Sequence, residues 1–144
     1  MKKSILIFTL ATFLFLSCNK DDDSGTNNTI TSAKILGTWE VKYFENKENK
    51  IINTPPEDSN TPIQITFTED GISGHTGTNA LYGNYTVSSG KLTVEFIAST
   101  LATETQWGLR FMEAINNENM PVKIDGNTMI IEYETAHFIY LEAQ

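Results

Sequence analysis

Short runs of alternating apolar and polar residues, each followed by a turn signal, recur from Trp39 almost to the end of the chain. Period-two alternation sends successive side chains to opposite faces, so the fold is built on strands with one buried face. Trp39, Val41 and Tyr43 share one parity and Glu40 and Lys42 the other, which predicts a first strand that buries the first three. Ile63, Ile65 and Phe67 alternate with Gln64, Thr66 and Thr68 before Asp70-Gly71, the signature of a hairpin. Tyr85 and Val87 lead into Ser88-Ser89-Gly90, and Leu92, Val94 and Phe96 alternate beyond it, predicting a second hairpin. Val122 and Ile124 precede Asp125-Gly126-Asn127. Met129, Ile131 and Tyr133 follow, then a turn near Glu134-Thr135 and a last strand over Phe138 to Leu141. The stretch from Glu45 to Pro62, rich in Asn, Lys, Glu and Pro, predicts a long irregular loop.

One segment changes period. Trp107, Phe111, Ala114 and Ile115 recur at helical spacing, predicting an amphipathic helix that starts at Thr103 as N-cap, carries Glu104 in its first turn and ends at Asn116-Asn117. Gly108 inside it costs about 1 kcal/mol relative to alanine. The aromatic stripe reads as core packing rather than a cofactor site. Many short strands with one helix inserted late give a mainly β (α+β) domain, an antiparallel sheet curled into a small barrel.

The N-terminus belongs to a different argument. Lys2 and Lys3 precede an apolar run from Ile5 to Leu16, and its 12 residues are too few for a bilayer-spanning helix, which needs about 20. Residues 1–17 therefore read as an export signal. Phe15-Leu16-Ser17-Cys18 resembles a bacterial lipobox, which implies that Cys18 is lipidated and becomes the mature N-terminus, anchoring the protein to a membrane. Two or three acyl chains hold a protein stably, where one holds it marginally. Cys18 is also the only cysteine, so no disulfide can form within the chain. Asn19-Lys20-Asp21-Asp22-Asp23-Ser24-Gly25 resembles the acidic export tag of Bacteroidetes surface lipoproteins, implying a surface-exposed outer-membrane location. Residues 18–32 read as the lipidated cysteine and an acidic tether, and 33–144 as the folded domain.

Loss of the signal takes basic residues from 10 to 8 against 18 acidic ones, and the formal net charge from −8 to −10. That balance argues against nucleic-acid binding, which needs a basic stripe to replace phosphate counterions.

From Ala33 onward the motifs resemble those of the META domain, the module of the HslJ-like heat-shock lipoproteins. The matching pieces, in order, are Leu36-Gly37-Thr38-Trp39, Ile65-Thr66-Phe67, the segment from Gly74 to Tyr85, and Ala98 to Thr103. The resemblance implies a lipocalin-like barrel with a helix packed on it, a place in the cell envelope and an association with stress. It does not imply an enzyme. Thr78 and Thr103 stand where the family motifs carry cysteines, so any thiol chemistry of relatives is absent here.

No catalytic set, metal site or cofactor site assembles from the rest. Two histidines, His75 and His137, are too few for a structural zinc site once the cysteine is spent on lipid. Ser73 near His75 lacks a third group to orient the base. Gly74, Gly77 and Gly83 are followed by neither a helix nor a lysine, so no phosphate cradle forms. Asn79, Tyr82, Asn84 and Tyr85, in the most specific segment, are the candidates for contact with a small ligand or an envelope protein. The structural alternative is that Asn79 bonds turn backbone and a tyrosine fills the barrel. Glu95, Glu132 and Glu134 are the carboxylates that an envelope hydrolase would have to use. A third alternative is a structural or folding-support role in the envelope.

Overall fold

The computed structural model describes residues 30–55 and 61–144. The elements run α1 (Ser32–Ile35), β1 (Gly37–Asn46), β2 (Ile51–Asn53), β3 (Gln64–Thr68), β4 (Gly71–His75), β5 (Ala80–Ser88), β6 (Lys91–Ser99), α2 (Gln106–Ile115), β7 (Met120–Asp125), β8 (Thr128–Glu134) and β9 (His137–Ala143). Each strand pairs antiparallel with its neighbour, and β9 returns to β1, closing an eight-stranded barrel from which β2 projects as an extra edge strand. The curled sheet expected from alternation is thus a closed one. Closure removes most of the sheet edge that would otherwise template association, leaving unpaired, among the described residues, only the outer side of β2 and the part of β6 beyond Leu92 that faces β7.

The turns obey the local chemistry. Ser88 faces Lys91 across a two-residue loop in which Ser89 and Gly90 both have positive φ, 50° and 75°, as a primed hairpin turn requires. Between β3 and β4 the turn residues are Glu69 and Asp70, one position earlier than Asp70-Gly71 suggests. Gly71 instead opens β4 at φ 152°, where a Cβ would lie 2.7 Å from the Gly83 carbonyl oxygen. It is glycine because β5 approaches so closely.

The inner face is packed with side chains. Phe44, Phe67, Ile65, Leu81, Leu92, Met129, Ile131, Ile139 and Leu141 are all buried there. At the barrel end where β1 begins, α1 contributes Ile35, and Ile30 is buried beside it. Ile30, three residues before Ala33, thus also reaches the core. At the opposite end α2 adds Phe111, Ala114 and Ile115, with Trp107 stacked on Phe44 at 6.1 Å.

Two expectations are corrected by irregularities that leave no mark in the pattern. The register of β1 against β9 shifts between Val41 and Tyr43, so Phe44 turns inward while Tyr43 lies outside, stacked on Tyr140 at 4.2 Å. The stretch after Glu45 is not one loop, because β1 continues to Asn46 and turns, with Lys50 at φ 54°, into β2. The helix also begins later than Thr103. Thr105 is its N-cap, its hydroxyl oxygen accepting from the Gly108 N–H at 3.0 Å. Among the described residues, no helix is long and apolar enough to cross a membrane.

Candidate functional site

The densest polar constellation lies at the α2 end, where the turn between β4 and β5 meets the segment between β6 and α2. Asn79 sits at its centre and is 3% exposed. Its amide donates to the Ala102 carbonyl at 3.0 Å and to Glu104 Oε2 at 2.8 Å. Its Oδ1 accepts from the Ala102 N–H at 2.8 Å and the Thr100 hydroxyl at 2.9 Å. Thr76, also buried, donates its hydroxyl to Glu104, and its Oγ1 accepts the Asn79 N–H at 3.1 Å. Every hydrogen-bonding position of the Asn79 side chain is occupied by protein, so it acts as a clamp between two loops.

Glu104 is the charged member. Burial pushes its pKa up, but hydrogen bonds from Thr76 and Asn79, the Thr105 N–H and Thr78 outweigh that and hold it below its usual value. A carboxyl whose pKa is lower folded than unfolded stabilises the fold above its unfolded pKa, and that contribution is lost as pH falls through the folded value. Urea midpoints measured from pH 6 down to pH 3 are therefore expected to fall more steeply for the native chain than for Glu104→Gln. Parallel profiles would remove Glu104 from the account.

Gly108 also belongs to this constellation. A Cβ built on it would collide with the Glu104 side chain. Helix propensity alone predicts that Gly108→Ala gains about 1 kcal/mol. The packing predicts a net loss, measurable as a lower urea midpoint, because Glu104 must leave its partners.

The other candidates lie elsewhere. Tyr82 and Asn84 point outward from β5 and are exposed, Tyr82 by 55%. Tyr85 points inward, edge-on to Phe67 at 5.0 Å, and its hydroxyl donates to the Thr68 carbonyl at 2.9 Å. Burial, and then the charge of Glu69, push its pKa up. Asn84 and Tyr85 do share a groove of about 420 Å³, with Leu36, Glu69 and Asp70 on its walls, at the end where the chain enters the barrel. Tyr82 borders a second groove, of about 320 Å³, on the other flank of the same turn. The four residues thus form no single site.

The META domain family model matches residues 33–144. The chain belongs to the META domain family. No curated protein matches it in sequence. Among solved structures it is similar to a protein from Burkholderia xenovorans, with 18% identity, a TM-score of 0.63 and coverage of 78% of this chain and 86% of that one. It is also similar to a DUF4847 family protein from Bacteroides vulgatus, with 20% identity, a TM-score of 0.57 and coverage of 76% and 94%. At these identities the likeness is one of fold.

In this META domain Thr78 and Thr103 flank the clamp. Thr78 precedes Asn79, and Thr103 lies between Ala102 and Glu104, both of which bond to Asn79. Hydrogen bonds hold together the two loops that carry these positions. Alternation and motif spacing gave no sign of Thr76, Thr100 or Glu104 as partners, since a hydrogen bond across 20 or more residues leaves no periodic trace. The one available signal was the shared segment order of the META motifs.

The histidines do not build a site. His137 bonds the Thr135 carbonyl through Nδ1 at 3.0 Å and the Asn46 amide through Nε2 at 2.7 Å, an arrangement that puts the proton on Nδ1. His75 Nδ1 is buried and has no partner among the described residues, so no acid orients it toward Ser73. Among the described residues no group of three His, Cys, Asp or Glu could hold a metal ion. Glu95 is opposite Asn84 in the ladder, two strands away from Glu132 and Glu134, which border a groove of about 250 Å³ with Glu118.

Proposed function

We propose that this META domain is a lipid-anchored domain of the cell envelope that acts by binding another envelope protein on its outer surface rather than by catalysis. The observation that carries the reading is the barrel interior, which among the described residues is packed with side chains rather than open to a ligand in the lipocalin manner. Four exposed apolar residues belong to elements at the end opposite the chain's entry, Ile51 (49%) and Ile52 (62%) on β2, Leu101 (100%) before α2 and Leu109 (52%) on it, while Leu36 at the entry end and Tyr82 on β5 are exposed elsewhere. Exposed apolar surface of this kind favours a protein partner.

Topology supports the orientation. The chain enters at the end carrying α1, and the 12 residues from Cys18 to Ile30 can reach at most about 40 Å. An anchor at Cys18 therefore tethers the α1 end toward the membrane and presents the α2 end outward. Residues 33–144 hold 7 basic and 15 acidic residues, a formal charge of −8, so the partner's docking face is basic around an apolar centre. A role in envelope stress fits such a partner-binding domain. A second reading rests on the groove beside Asn84 and Tyr85, which is large enough for a small ligand.

The location is tested by membrane fractionation and protease accessibility on intact cells, comparing the native chain with Cys18→Ala. The native form is expected in the membrane fraction and cleaved from outside, and the variant released. Two equally soluble forms would overturn the anchor.

A further inference from the structure

The barrel has one weak seam. Adjacent strands around it share four to eight residue pairs, as in β3 with β4, β5 with β6 and β8 with β9, but β6 and β7 share only Lys91 with Pro121 and Leu92 with Met120. The Val122 N–H adds one bond to the Gly90 carbonyl, on the α1 side. Beyond Leu92, β6 runs seven more residues with no β7 partner, and the chain between them is residues 100–119, the segment that carries α2.

That segment is attached differently at its two ends and in its middle. At the start, Ala102 and Glu104 are held by the Asn79 clamp. At the finish, the Asn119 N–H donates to Thr93 Oγ1 at 2.9 Å just before β7 begins. Between these points no ladder hydrogen bonds tie α2 to the barrel. Its attachment is apolar, through Phe111, Ala114 and Ile115, with Trp107 and Arg110 resting on the Phe44 ring at 6.1 and 5.0 Å. The apolar side chains Leu101 and Leu109 of the same segment face solvent.

We infer that residues 105–118, between the Asn79 clamp and Asn119, form a hinged cover, which lifts off the barrel end as a unit while all eight barrel strands stay paired. Opening breaks side-chain contacts but no strand ladder, so it requires much less than global unfolding. It bares Phe44 and the inner ends of the strands around it, and turns a filled barrel into an accessible one. The clamp and Asn119 are the two hinges. The inference goes beyond the binding reading and does not depend on the lipid anchor.

Native-state hydrogen exchange of the full chain in mild detergent, at low urea concentrations, tests it. Backbone amides of Leu109 to Ile115 are expected to exchange at least about 100-fold faster than those of Ile131, Ile139 and Leu141, at rates that barely respond to urea, because a small opening exposes little surface. If the α2 amides share the rates and the urea dependence of the β8 and β9 amides, helix and barrel open only together and the inference fails.

Discussion

Replacing Asn79 with alanine is expected to lower the unfolding free energy by about 3 kcal/mol. The buried side chain makes four hydrogen bonds, and its removal leaves the Ala102 N–H and carbonyl, the Thr100 hydroxyl and Glu104 each short of a partner, Thr100 and Ala102 being at the surface where water can reach them. Stranded polar groups of this kind cost about 1–3 kcal/mol each, partly relieved where loops relax and water enters. Tyr82→Ala, on the exposed face of β5, is the comparison, with an expected change within about 0.5 kcal/mol. Chemical denaturation of both variants checks the pair. Equal, small effects would mean that Asn79 is held for something other than the fold.

The second large effect separates two neighbouring aromatics. Phe44→Ala is expected to cost about 3–5 kcal/mol, because Phe44 is fully buried and supports Trp107 and Arg110 of α2. Tyr43→Ala should cost clearly less, since its ring lies outside the barrel against Tyr140 and is only half-buried. Strict alternation from Trp39 predicts the reverse order. A larger loss at Tyr43, read from urea midpoints, would deny the register shift after Val41.

These two positions mark what the sequence could and could not convey. Strands at Ile65, Leu92, Met129 and Leu141 were legible because burial of one face imposes period two on the residues themselves. The turns at Ser89-Gly90 and Gly126 were legible because positive φ selects few residue types. The bulge in β1 was not, since Tyr43 and Phe44 are both aromatic and either can face inward. The helix start was misplaced by two residues because Thr103 and Thr105 are equally good caps, and only the Gly108 N–H decides between them. Strand β2 was hidden by its shortness and by Asn and Pro on either side.

The candidate site was legible as a segment but not as a constellation. The motif from Gly74 to Tyr85 stands out in the sequence as one segment, but its members part in space: Asn79 into the clamp, Tyr82 outward, and Asn84 and Tyr85 onto the groove near α1. Glu104 looked like a residue of the first helical turn. The structure places it before the cap, where four hydrogen bonds hold its carboxylate. Family membership accounts for the fold and for the motif.

Photo-crosslinking in intact cells tests the central claim of partner binding at the outward end most directly. A photoreactive side chain is placed at Ile52, at Leu109 or, on the opposite end of the barrel, at Ser89. A discrete protein adduct of the same size from Ile52 and Leu109, absent from Ser89 and lost when the other of the two is changed to lysine, is the predicted result. Adducts formed equally at all three positions, or at none of them, would contradict it.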